Sequence, residues 1–152
     1  MNLLFFYGSV IALLVVFLLA LTRKRFRMRH MILMIGYSLY NLIFELVFGE
    51  ILGLYYYIKK EVSLIYIILA AVFLYPLIAV LYIFFLPGGL KAYLYTACFT
   101  AAMLLMELIS LHTGTIVLTG WNIMPWSIVT YIVSFCLINI FYGFLERKLP
   151  DS

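Results

Sequence analysis

The sequence predicts an all-α integral membrane protein with five transmembrane helices, and three observations predict it. Apolar residues make up 68 % of the chain and charged residues only 11 %, against roughly 25 % charged in an ordinary soluble domain. The apolar residues gather into five runs long enough to cross a bilayer, and eight of the ten Lys and Arg residues fall at one end of those runs. A soluble fold of this length would need polar residues to cover its core, and the chain does not have them. Residues 1–152 are therefore read as a single transmembrane helical domain, with no part large enough to fold outside the membrane.

Residues 3–21 carry no charge and make about 28 Å of helix at 1.5 Å per residue, enough for one crossing. Arg23, Lys24, Arg25, Arg27 and Arg29 follow this run. A cleaved signal peptide has its charge before the apolar stretch, so the first helix is expected to be retained with its amino end outside. Residues 31–49 form the second span, interrupted by Asn41 and Glu45. Residues 50–61 make an outer connection whose tyrosines suit the membrane interface.

The third span covers residues 62–86, with Pro76 as an expected kink, and Pro87, Gly88 and Gly89 end it in a tight inner turn. Residues 91–111 are the fourth span and carry Glu107 near the far end. Residues 112–125 are too polar and too broken by Gly114 and Gly120 to cross, and read as an outer loop or re-entrant cap. The fifth span, residues 126–145, runs into Glu146, Arg147 and Lys148. The bias of basic residues toward one side places the amino terminus outside and the carboxyl terminus in the cytoplasm.

Several function classes are excluded. The basic cluster is flanked by long uncharged runs, which leave no continuous basic surface for nucleic acid. Cys98 and Cys136 lie inside apolar runs and are expected to be small buried hydrophobes, not a disulfide framework. No nucleotide fingerprint, phosphate loop, zinc-protease pair or serine elbow is present, so no cofactor is implied.

The second and fourth spans each place a glutamate about one turn before the outer surface. Each is followed by a glycine- and aromatic-containing connection, then by a helix opening with a serine and a tyrosine: Ser63 with Tyr66, and Ser127 with Tyr131. The pattern suggests one helix followed by two parallel-repeat hairpins.

Intramembrane carboxylates are the leading site candidates, because a charge held in the bilayer must face other helices or a cavity. Ser38, Asn41 and Glu45 recur at spacings of three and four and share a helix face. Thr96, Thr100, Met103 and Glu107 do the same in the fourth span. Glu45 and Glu107 are expected to line an outward-facing polar and aromatic pocket that receives a proton, a cation or a cationic headgroup. Asn41, Tyr66, Tyr131, Ser127, Trp121, Asn122 and Trp126 are its further candidate residues, the tryptophans serving also as interface anchors. His112 lies about 140° around the helix from Glu107; it is a candidate hydrogen-bonding neighbour but lacks the company a metal site requires.

The set Lys91, Tyr93, Glu107, Gly114, Trp121, Asn122, Ser127 and Tyr131 resembles a largely uncharacterised family of small, roughly five-span membrane proteins from spore-forming Firmicutes. That resemblance implies a bacterial plasma membrane location and supplies no reaction. A more distant likeness is to membrane lycopene cyclase domains, which build parallel hairpins with intramembrane glutamates; their closely grouped acidic motifs are missing here.

The expected function is binding of a small ligand or lipid in the outward-facing pocket, as a sensory or accessory subunit. The alternatives are a proton- or cation-coupled small transporter using Glu107 and Glu45, and a membrane-embedded enzyme acting on a lipid or isoprenoid. Membrane lipids and a homo-oligomeric or other membrane partner are the expected partners.

Overall fold

The computed structural model describes residues 2–122 and 126–149. Within them, five helices are long and apolar enough to cross a membrane: Leu3–Ala20, Met28–Ile51, Lys60–Phe84, Lys91–Thr113 and Ile128–Lys148. In terms of regular elements these are α1 (Asn2–Ala20), α2 (Met28–Glu45), the third span with α3 (Ser63–Leu69) and α4 (Tyr75–Phe84), α5 (Lys91–Thr113) and α6 (Ile128–Lys148). Large apolar side chains cover the outside of the bundle, Leu4, Ile11, Leu19, Ile43, Leu94 and Ile140 among them. Such a surface is consistent with a multi-pass membrane protein whose helices face lipid.

The described chain is mostly helical, as expected, and adds one short sheet. Strand β1 (Tyr55–Tyr57) pairs antiparallel with β2 (Ile116–Leu118), with Tyr55 opposite Leu118, Tyr56 opposite Val117 and Tyr57 opposite Ile116. The two connections expected to be separate loops therefore meet and close one end of the bundle. The first is an aromatic run that follows Gly53, and the second an apolar run between Gly114 and Gly120. At a membrane surface their backbone groups are best satisfied by one another. The Leu54 carbonyl strengthens the join by accepting the N–H groups of Thr119 (2.9 Å), Gly120 (2.9 Å) and Trp121 (3.2 Å). At the end of α5, Gly114 adopts φ 78°, the left-handed conformation that lets the chain leave the helix and enter β2.

Around α4 the packing is tightest: Pro76, Leu77 and every residue from Ala79 to Phe84 are buried. A helix apolar on all sides belongs in the middle of a bundle, and α4 is enclosed by α1, α2 and α6. Pro76 does not simply kink the third span. A π-helical turn, Ala70–Leu74, ends two residues before it. The wider turn absorbs the backbone that the proline ring would otherwise strike. Ser38 of α2 donates a hydrogen bond to the Ala71 carbonyl within this turn.

At the end opposite the sheet, α2 begins three residues earlier than the hydropathy suggests. The Arg27 N–H donates to His30 Nδ1 at 3.0 Å and caps the first turn, while Arg29 Nε donates to the Tyr142 hydroxyl of α6 at 2.9 Å. Deeper in this half, Asn139 of α6 donates to the Tyr82 hydroxyl at 2.8 Å, and that hydroxyl lies 2.7 Å from Thr96 Oγ1 of α5. Asn139 thus ties helices together as a polar residue in lipid should. Both cysteines are free and exposed on the bundle surface, which corrects the expectation that they are buried. A thiol is apolar enough to face lipid as readily as a core.

Candidate functional site

The site is built where the two helix–strand–helix hairpins meet beneath the sheet. Glu45 ends the α-helical part of α2 and is buried. A π-helical turn, Leu46–Ile51, follows it and carries the chain into β1. Alternation along β1 sends the side chains of Tyr55 and Tyr57 to the same face, toward the bundle. Tyr55 donates to Glu45 Oε2 at 2.8 Å, and Tyr57 to Oε1 at 3.1 Å. From the third span Tyr75 donates to Oε1 at 3.1 Å, and its hydroxyl lies 3.0 Å from that of Tyr57. Burial, reinforced by the Glu45 carboxylate, raises the Tyr55 and Tyr57 hydroxyls well above the ordinary phenol range, so both stay protonated donors.

Glu107 of α5 is held by the other hairpin. Tyr131 of α6 donates to Oε2 at 2.9 Å, and Ser127 donates to Oε1 at 2.9 Å. The Ser127 oxygen in turn accepts the indole N–H of Trp121 at 2.8 Å. Trp121 is positioned by its own backbone bond to Leu54 and by edge-on contacts with Phe48 (5.8 Å) and Tyr55 (5.9 Å).

Both glutamates line one cavity of about 70 Å³, room for a few water molecules or one small polar group. Nine aromatic side chains contribute to its wall: Tyr37, Tyr40, Phe44, Tyr55, Tyr57, Tyr75, Trp121, Tyr131 and Phe135. No Lys, Arg or His lines it. Among the described residues, the hydrogen bonds to the two carboxylates come from neutral hydroxyls. A carboxylate removed from water is costly unless a proton or a cation compensates it.

Of the residues singled out in the sequence, Glu45, Glu107, Asn41, Trp121, Ser127 and Tyr131 come together around this cavity. Asn41 is held by its own helix, donating to the Tyr37 carbonyl at 2.9 Å. Four candidates lie elsewhere. His112 and Asn122 are exposed, Trp126 is 55 % exposed, and Tyr66 packs against Phe6 of α1 at 5.2 Å. Ser63, the expected counterpart of Ser127, instead accepts the Tyr57 N–H at 3.0 Å. Sequence reasoning missed Tyr55, Tyr57 and Tyr75, which are the donors to Glu45 among the described residues. The spacing of Tyr55 and Tyr57 was the available signal, since residues two apart share a face only in a strand. Among the described residues no group of His, Cys, Asp and Glu is arranged to hold a metal ion.

No protein-family model, curated protein or solved structure matches the chain.

Proposed function

We propose that this membrane protein binds a small organic cation, with Glu45 and Glu107 supplying the charge and the surrounding rings supplying cation–π contact. The carrying observation is the pairing of two buried carboxylates with an aromatic wall that contains no basic residue. Aromatic faces attract ammonium groups, and more strongly where water is excluded. A site lined in this way disfavours anions and gives a neutral ligand nothing to balance the acids.

The basic cluster between α1 and α2, with Lys91, Arg147 and Lys148, lies at the end of the bundle opposite the sheet. This supports an orientation with the sheet and cavity outside and the carboxyl terminus in the cytoplasm; a bacterial plasma membrane as the setting is what the resemblance to small Firmicutes membrane proteins implies. A glutamate, a strand and a returning helix occur in the same order in both hairpins, which supports a parallel repeat after α1. The role that fits best is a sensory or accessory subunit, in keeping with the resemblance to small Firmicutes membrane proteins.

Tetramethylammonium titrated into the protein in nanodiscs, with Trp126 replaced by Phe so that Trp121 reports alone, is expected to change the indole fluorescence saturably. Glu107→Gln should abolish the response and Glu45→Gln should weaken it. A response indifferent to both substitutions overturns the proposal. Glutamate-dependent cation flux into liposomes would replace it with the transporter reading.

A further inference from the structure

Two more cavities lie beside the first, each sharing wall residues with the next. One of about 240 Å³ lies between α1 and α5 and shares Tyr57, Tyr75, Glu107 and Tyr131 with the first. The next, of about 520 Å³, shares Phe5, Ser9, Leu13 and Met106 with the second and opens between the same two helices. Its wall is apolar apart from Ser9 and Thr113, and neither cavity is lined by a basic residue. At its mouth Gly8 has nothing within 4 Å of where a Cβ would stand. A row of adjoining, largely apolar cavities therefore runs from the α1–α5 surface to Glu107, which lines both the first and the second.

We infer that the ligand is a single-chain cationic amphiphile drawn from the bilayer, its ammonium group at Glu107 and its hydrocarbon tail leaving between α1 and α5. This rests on the reading of the carboxylate cavity as a cation site and adds the class of cation. The apolar walls suit a hydrocarbon tail, and the acid at the inner end suits a positive head. A zwitterionic phospholipid is disfavoured because its phosphate would arrive beside the carboxylates with no basic residue to receive it.

The test compares butylammonium and dodecylammonium on the Trp126→Phe protein in nanodiscs, read by Trp121 fluorescence. Gly8→Phe fills the mouth without touching the carboxylates. It is expected to weaken dodecylammonium about tenfold or more while leaving butylammonium within about twofold. Ala12→Phe, one turn further along the same wall, should do the same and guards against a defect peculiar to the first variant. Retained butylammonium binding shows that each variant is folded. Unchanged dodecylammonium binding in both variants, or equal loss of both ligands in variants whose melting temperature is unchanged, overturns the lateral passage and leaves the cation site standing. Competition by dodecylphosphocholine as effective as that by dodecylammonium overturns the exclusion of phosphate. Failure of either ammonium to bind the protein with Gly8 and Ala12 intact removes the cation site itself.

Discussion

Ser127 stands between an indole and an acid, accepting from Trp121 and donating to Glu107. Replacing it by Ala removes a hydroxyl from the carboxylate and strands the indole N–H. Hydrogen bonds to charged groups contribute about 1.5–3 kcal/mol, so Ser127→Ala should weaken ammonium binding by about tenfold or more. Tyr131→Phe should act similarly, and isothermal titration in detergent measures both. Thr100 presents the opposite case. Its Oγ1 is buried without a hydrogen-bond partner, a condition that costs roughly 1–3 kcal/mol. Thr100→Val keeps the shape and should raise thermal stability by about 1 kcal/mol; a lower melting temperature would refute the assignment. Tyr55 and Tyr57 bear on pH. With folded-state values above the free-phenol value of 10.0, the stability they lend is complete below that pH and falls only as pH rises beyond it. Changing both to Phe should leave the tyrosinate absorbance gained between about pH 9 and pH 11 unaltered.

Among the elements, the five helices were legible because the cost of unsatisfied backbone in lipid leaves few other uses for long uncharged runs. The glutamates were legible for a related reason, since an acid within a span must turn inward. The sheet was not legible, because each strand has three residues and finds its partner some 60 positions away, beyond any local periodicity. That omission hid the donors to Glu45: Tyr55 and Tyr57 reach it only when pairing fixes which face of β1 points inward. Tyr66 was chosen by analogy with Tyr131. The role fell to Tyr75, which directly follows the π-helical turn that accommodates Pro76, a local change in helical pitch that spacing rules do not anticipate. Gly114 offers a test at this scale. A side chain at its φ of 78° is strained, so Gly114→Ala should cost about 1 kcal/mol of stability and loosen β2. Faster hydrogen exchange at residues 116–118 than in the unsubstituted protein would register the loosening.

For the whole molecule, the bundle shows lipid an apolar exterior that includes both thiols. Cys98 and Cys136 should resist a charged, water-borne maleimide while the protein is in nanodiscs and react with it once the protein is unfolded in denaturant, because only a thiolate in water is nucleophilic. Ready labelling in nanodiscs would mean that water reaches these faces. The sheet carries a different consequence. Its strands come from separate hairpins, whereas the covalent link between those hairpins, at Gly88 and Gly89, is an exposed turn where added side-chain atoms would meet nothing. The gene could accordingly be divided there, and the two polypeptides, made together in one cell, should find each other in the bilayer and copurify. Val117→Pro, which spoils the ladder, should leave each piece inserted yet make the partnership fail. The clasp over the cavity would then also be the seam by which a two-piece version of this protein is sewn together.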